Sequence, residues 1–316
     1  MSALDVTELS KTFPVGGRLL HKPGAVRAVR PVSFTVETGE TLGIVGESGC
    51  GKSTLARMLV GLIEPTTGQI EIEGKPLDNA DAAAFGKLIQ YVFQDPVSSL
   101  NPRKTIRQII EAPLKYLHGM AGDVRAGRIA EIFASVNLRE EFLDRYPHEF
   151  CGGQAQRIGI ARALAAAPRI MVLDEPVSAL DVSVQAQVLN LMADLRGQFN
   201  LTYLFISHDL AVVEAVSDRI MVPYFGSVVE IGRAEDLFKT PRHPYTNLLA
   251  DSAPVVGRAL TAPEQRDTEL PDPLNPPPGC AFAGRCPRAT ERCLTAEPKL
   301  RPLGDDQLAA CHHPLD

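Results

Sequence analysis

Nine residues narrow the fold more than any other stretch of this chain: Gly46-Glu47-Ser48-Gly49-Cys50-Gly51-Lys52-Ser53-Thr54. They fit G-x-x-x-x-G-K-[ST] and lie between an apolar run, Leu42-Gly43-Ile44-Val45, and a helical pattern starting near Lys52. That strand-loop-helix context is what the motif requires. Glycines let successive backbone amides turn toward one oxyanion, and the N-terminus of the following helix adds partial positive charge. Lys52 is expected to reach the β- and γ-phosphates of a nucleotide, and the Ser53 hydroxyl to ligate magnesium. Cys50 occupies a variable position of the motif and is expected to be structurally neutral.

A second apolar run, Ile170-Met171-Val172-Leu173, ends in Asp174-Glu175. A buried parallel strand with a carboxylate at its tip meets a ligand at the sheet's C-terminal edge. Asp174 is expected to hold magnesium through water, and Glu175 to act as general base on an attacking water. Tyr203-Leu204-Phe205-Ile206 reads as a third buried strand. Leu55, Met58, Leu59 and Leu62 recur at helical spacing, with Pro65 as the expected stop. Residues 97–150 show no comparable strand and carry helical pieces such as Arg128–Phe133, so they read as a helical insertion in an α/β core.

Composition removes several alternatives. The chain has 316 residues and a net charge of −6, which argues against nucleic acid as the main partner. Aromatics make up 6% with no Trp, so a base-stacking platform is not expected either. The N-terminus shows no signal-peptide pattern, and no run approaches the roughly 18–20 apolar residues of a membrane span. A soluble, cytosolic protein is the expectation. Of 25 prolines, 13 fall in the last 76 residues, including Pro271, Pro273 and Pro276-Pro277-Pro278. Residues 1–235 therefore read as one compact domain, with helices over about 97–160, and 236–316 as a loop-rich extension.

Further motifs follow in order: Gln94, Cys151-Gly152-Gly153-Gln154, Ser178-Ala179-Leu180-Asp181 and His208. With the two above, they resemble the ATP-binding subunits of ABC transporters along nearly the whole chain. Alone, Gln94 would be a surface glutamine and His208 a strand-end histidine. The resemblance implies a P-loop NTPase core of ABC type with an N-terminal antiparallel β subdomain. It also implies that Gln94 contacts magnesium and the attacking water and senses the membrane subunit. His208 would contact the γ-phosphate, and Asp181 would couple two sites across a dimer. Phe13 would stack on adenine, or else be a core residue at a strand end. ATP and Mg2+ are the implied ligands, each ATP lying between one chain's glycine loop and the other's signature. The signature departs from the family's usual Leu-Ser-Gly-Gly-Gln, reading Phe150-Cys151-Gly152-Gly153-Gln154 before a helix expected over 154–164. A thiol donates a weaker hydrogen bond than a hydroxyl, so either this site turns over more slowly or the change is harmless.

Phe93-Gln94-Asp95-Pro96, Ser98-Ser99-Leu100-Asn101-Pro102 and His243-Pro244-Tyr245-Thr246 resemble the dipeptide/oligopeptide importer subfamily, and the loop resembles its second ATPase subunit. That resemblance implies a different partner ATPase, two permease subunits, an extracytoplasmic binding protein, and a peripheral position on the cytoplasmic face of the membrane. Importers of nickel, glutathione or another small solute remain alternatives, as do non-transport ABC ATPases. Four of six cysteines, Cys280, Cys286, Cys293 and Cys311, form a C-x5-C-x6-C-x17-C array in the extension. The spacing lacks the close pairs of zinc sites. In the subfamily this region is associated with a four-iron–four-sulfur cluster that four thiolates can ligate. Zinc with His312 or His313 replacing a cysteine, and unligated buried thiols, are the other readings.

Overall fold

The computed structural model describes residues 2–16, 24–77, 82–252, 270–304 and 306–316. In chain order the strands are β1 (Ser2–Val15), β2 (Gly24–Glu37), β3 (Thr41–Val45), β4 (Thr67–Ile72), β5 (Lys75–Pro76), β6 (Ile89–Val92), β7 (Ile170–Asp174), β8 (Thr202–Ser207), β9 (Arg219–Tyr224), β10 (Ser227–Arg233), β11 (Arg301–Pro302) and β12 (Leu308–Ala309). The helices are α1 (Lys52–Leu59), α2 (Ala82–Leu88), α3 (Ile106–Tyr116), α4 (Gly122–Ser135), α5 (Gly152–Leu164), α6 (Val182–Phe199), α7 (Leu210–Val216), α8 (Ala234–Leu237), α9 (Pro244–Ser252) and α10 (Glu291–Thr295). None of them is long and apolar enough to cross a membrane.

The larger sheet has the order β11-β12-β10-β9-β3-β8-β7-β6. Strands β6, β7, β8, β3 and β9 run parallel, as their continuous apolar sequences require when both faces are covered. Alternation decides which side chain goes where. Ile170, Val172, Leu204 and Ile206 enter one hydrophobic cluster, whereas Met171, Leu173, Tyr203 and Phe205 enter the other. The antiparallel sheet, ordered β2-β1-β4-β5, contributes Leu4, Val6, Leu9, Phe34 and Ile70 to the first cluster. Between β6 and β7 the chain forms α3, α4 and α5 without a strand, as the sequence led us to expect. Ile109, Ile110, Ile129, Ile132 and Phe133 close that helical layer onto the second cluster.

Helix α1 stops earlier than Pro65. Gly61 adopts φ 69, its N–H bonds the Met58 carbonyl at 3.0 Å, and the Leu62 N–H reaches back to Arg57 O at 2.8 Å. This is a Schellman ending, which a left-handed glycine makes favourable. Leu62, grouped with the buried face by its spacing, is 58% exposed because it lies beyond that ending.

The segment after 235 joins the same sheet. Glu230 and Ile231 of β10 pair antiparallel with Ala309 and Leu308 of β12. Tyr245 and Phe282 are buried in the second cluster. Glu230 is itself wholly buried and accepts hydrogen bonds from the Arg242 and His243 amides and from the Gln307 side chain. Composition flagged the many prolines of this segment but not the short strands and buried carboxylate that fix it. Its stretch 253–269 lies outside the described residues.

Candidate nucleotide site

Each site element is delivered by the C-terminal end of a parallel strand. Strand β3 leads into the glycine loop, β7 ends at Asp174, and β8 leads to His208. The loop is compact for steric reasons. Gly51 has φ 102, and a Cβ there would sit 2.3 Å from the Ala28 carbonyl oxygen; a Cβ at Gly46 would be 2.6 Å from Pro223 O. Lys52 is buried, with its ammonium donating to the carbonyls of Gly46 at 2.6 Å and Glu47 at 3.0 Å. The ammonium is thus held against the loop's own backbone.

Cys50 is not the neutral position its place in the motif suggested. It is 2% exposed under the loop, with Sγ 3.8 Å from Lys52 Nζ. Burial pushes its thiol pKa up, against the lowering effect of Lys52, so it packs as an apolar residue.

Ser53 donates to Asp174 Oδ1 at 3.3 Å, which places a hydroxyl beside a buried carboxylate. Such a pair of hard oxygens matches what Mg2+ prefers. Tyr91, from β6, donates to the other carboxylate oxygen, Oδ2, at 2.5 Å. Sequence reading missed Tyr91, since nothing in its surroundings marks it; only the parallel pairing of β6 with β7 brings it there.

Glu175 takes the left-handed conformation, φ 48, and its N–H is bonded to Ile206 O at 2.9 Å. That conformation costs an L-residue on the order of 1–3 kcal/mol and aims the carboxylate out of the strand direction. The carboxylate lies between Gln94, whose Nε2 donates at 2.9 Å, and His208, whose Nδ1 is 3.2 Å away. Gln94, Glu175, His208, Ser48, Gly49, Gly51, Lys52, Ser53 and Thr54 all line one cavity of about 500 Å³. Arg27, Phe225, Pro273 and Pro276 line it as well, the prolines coming from the C-terminal segment.

The remaining expected residues stand elsewhere. Phe13 lies on β1 opposite Val26 and is capped by the Lys11 ammonium at 5.2 Å; Val26, not Phe13, lines the cavity. Cys151 is the exposed N-cap of α5, without a side-chain cap bond. Helix α5 begins at Gly152 rather than Gln154. A Cβ at Gly153 would be 2.4 Å from Val184 Cγ1, so Gly153 lets α5 and α6 meet closely. Asp181 is the exposed N-cap of α6. None of the Cys151–Gln154 residues lines the cavity.

A second set of contacts, unforeseen from sequence, supports the glycine loop from behind. Arg285 forms a two-pronged pair with the Glu47 carboxylate, both contacts 2.9 Å, and the buried Tyr245 hydroxyl accepts the Glu47 N–H at 3.0 Å. Hydrogen bonding to Glu47 raises the Arg285 pKa further above its ordinary value, outweighing desolvation.

The four cysteines of the extension form no disulfide. Together with His243, Phe282, Arg288, His312 and His313 they line a small, tight cavity. Burial pushes Cys280 up to about 11 and raises Cys311 too. His312 Nε2 lies 2.9 Å from Ala296 O, and His313 Nε2 lies 2.9 Å from the Thr290 hydroxyl. Among the described residues, no group of three His, Cys, Asp or Glu side chains is arranged to hold a single metal ion.

Residues 29–178 match the family model described as ABC transporter, and residues 229–293 match that described as oligopeptide/dipeptide transporter, C-terminal region. The chain is 48% identical to the oligopeptide transport ATP-binding protein AppF of Bacillus subtilis, over 98% of this chain and 96% of that one. It is 47% identical to the dipeptide transport ATP-binding protein DppF of Escherichia coli, over 98% and 93%. Among solved structures it resembles the ATP-binding cassette MJ0796, in a dimeric post-hydrolysis state bound to ADP and Pi. The TM-score is 0.65 and the identity 29%, covering 73% of this chain and 98% of that one. The fold that brings the glycine loop and the carboxylate strand together is thus shared with the cassette over 73% of this chain, and the sequence likeness to AppF and DppF spans 98% of it. The chain belongs to the ATP-binding subunits of ABC transporters, in the oligopeptide/dipeptide transporter family.

Proposed function

We propose that this ATPase powers peptide import through a membrane permease complex, as the second of two different ATPase subunits. One observation carries the reading: Lys52, Ser53, Gln94, Glu175 and His208 converge on one cavity, in a chain matched over 98% of its length by relatives named as oligopeptide and dipeptide transport ATP-binding proteins. The glycine loop amides and Lys52 bind the phosphates, Lys52 exchanging the Gly46 and Glu47 carbonyls for phosphate oxygens. Ser53, Asp174 and Gln94 would hold Mg2+, which supplies charge neutralisation on the β- and γ-oxygens. Glu175 accepts the proton of the attacking water, Gln94 orients that water, and His208 donates to the γ-phosphate.

Cys151 and Gly152, exposed at the N-terminus of α5 and away from the chain's own cavity, suit a nucleotide held by a second subunit. A partner ATPase facing this one, two permeases beneath, and an extracytoplasmic binding protein complete the assembly. The chain then sits peripherally on the cytoplasmic face, and Asp181 couples the two sites. Residues 1–235 serve as the nucleotide-binding domain and 236–316 as the transporter-type extension. Its four cysteines fit a four-iron–four-sulfur cluster better than zinc. One tetrahedral ion draws its sulfurs to within about 4 Å of one another, whereas a cluster accepts a wider set.

Co-purification with permeases and nucleotide-dependent peptide uptake test the transport reading. Glu175→Gln should bind ATP and stall in the closed dimer; turnover at the parent rate would move the base elsewhere. Anaerobic preparation should yield visible iron–sulfur absorbance with about four irons per chain. A colourless protein with stoichiometric zinc would exclude the cluster.

A further inference from the structure

We propose that Arg285 is a positioning residue of the nucleotide site, neutralising the Glu47 carboxylate so that the glycine loop can receive a polyanion. The loop holds an apparent conflict. Glu47 places a negative charge directly after Gly46, in a segment whose amides and lysine are arranged for phosphate. Glu47 does not itself line the cavity, but left unpaired its carboxylate adds negative potential to a loop whose amides and Lys52 ammonium are arranged for phosphate. The fold answers with Arg285, 238 positions away, through two parallel 2.9 Å hydrogen bonds. A planar fork holds both carboxylate oxygens and so fixes the direction of the side chain as well as its charge.

Arg285 is in turn rigidly seated. Its guanidinium lies over the rings of Phe282 at 5.7 Å and Tyr224 at 5.9 Å. Those rings and Tyr245 pack on one another with centroids 4.5–5.5 Å apart. Tyr245 also takes the Glu47 N–H, so backbone and side chain of the same loop residue are both held by the segment after 235. Arg285 directly precedes Cys286 and its N–H bonds to Phe282 O at 3.0 Å, so the clamp and the cysteine-lined cavity share one turn of chain. The C-terminal extension thereby sets the electrostatics of a site whose phosphate-binding and catalytic residues lie between positions 46 and 208.

This inference rests on the nucleotide reading of the cavity, and the experiment separates the two. Full-length chain, parent and variants, is titrated with a fluorescent ATP analogue in Mg2+, and KM and kcat for ATP are measured in the assembled complex. Arg285→Ala should weaken nucleotide binding and raise KM about tenfold, with kcat within about threefold. Arg285→Lys, keeping the charge but losing the fork, should lose less. Adding Glu47→Gln to Arg285→Ala removes the stranded charge and should restore binding to within about threefold. A purely structural role predicts no such rescue. Parent-like binding by Arg285→Ala, or a double variant as weak as the single, overturns the proposal. Should Arg285→Ala fail to fold, Arg285→Gln alone and with Glu47→Gln provides the same comparison. Lys52→Ala is measured alongside: parent-like binding there refutes the nucleotide reading itself, whereas failure of the Arg285 variants alone refutes only the clamp.

Discussion

Replacing Cys151 with serine changes two hydrogen bonds that can be counted separately. Cys151 is the N-cap of the thirteen-residue α5, at φ −73 and ψ 163, and makes no side-chain cap bond. Its backbone already has the extended conformation a capping serine adopts, so no rearrangement is needed. The serine Oγ can accept an amide hydrogen from the first turn, worth about 1 kcal/mol. In a chain of 316 residues that raises the melting temperature by roughly 1–2 °C. In the proposed assembly the same hydroxyl would keep its proton free to donate to a phosphate oxygen held by a second subunit. A bond of about 1 kcal/mol made in the transition state is worth about fivefold in rate. The two contributions appear in different assays. Thermal denaturation of the nucleotide-free chain reads the cap, and ATP turnover of the assembled complex reads the phosphate contact. We expect Cys151→Ser to raise both. A higher melting temperature with unchanged turnover refutes the reading that the thiol slows this site. No change in melting temperature refutes the capping argument.

The other predictions concern groups placed around the site. Tyr91→Phe removes the hydroxyl that satisfies the buried Asp174 carboxylate and should cost about 1–3 kcal/mol in urea denaturation; an unchanged midpoint means Asp174 finds another donor. Gly153→Ala drives a methyl toward Val184 Cγ1, 2.4 Å from the ideal position, and should destabilise by about 1–3 kcal/mol. Val184→Ala added to it should recover most of that loss, and an additive double variant would show that the strain lies elsewhere. The buried His243 ring accepts the Tyr245 N–H through Nδ1, and burial pushes its pKa down to about 4 from 6.5. Between those values the unfolded chain binds a proton that the native ring refuses, so stability rises with pH across this window. The associated stability is complete above pH 6.5 and is lost progressively toward pH 4, up to about 3 kcal/mol in all. His243→Gln should flatten that limb of the pH–stability curve; an unaltered slope would assign it to other groups.

Local chemistry made the front of the site legible. The glycine loop, Asp174-Glu175 and His208 each follow directly on an apolar strand, so a run of neighbours announces each one. The buried strands were equally plain, because double-faced burial leaves continuous apolar sequence. Residues acting across long sequence separation carried no such mark. Tyr91 reaches Asp174 over 83 positions and Arg285 reaches Glu47 over 238, and neither neighbourhood differs from an ordinary strand or turn. Tyr245 lay within a recognised motif, but its contact with the Glu47 amide depends on the packing of its ring against Tyr224 at the end of β9. Boundaries failed for a different reason. A four-residue repeat placed Leu62 on the apolar face of α1, but the left-handed turn at Gly61 rotates it away. Periodicity reports a helix only as far as its backbone hydrogen bonds continue, and one permissive residue is enough to end them.

The pairing of β12 with β10 has a bearing on solubility. Strand β10 would otherwise end the large sheet with a row of unsatisfied amides and carbonyls, the template on which foreign strands add. Its cover consists of two short segments, Arg301–Pro302 and Leu308–Ala309, of which the outermost carries a charge and a proline. Neither offers the length or the donors needed to recruit another chain. Residues 301–309 thus act as a hem on the sheet, and trimming them would bare an edge on which one copy of the molecule sticks to another.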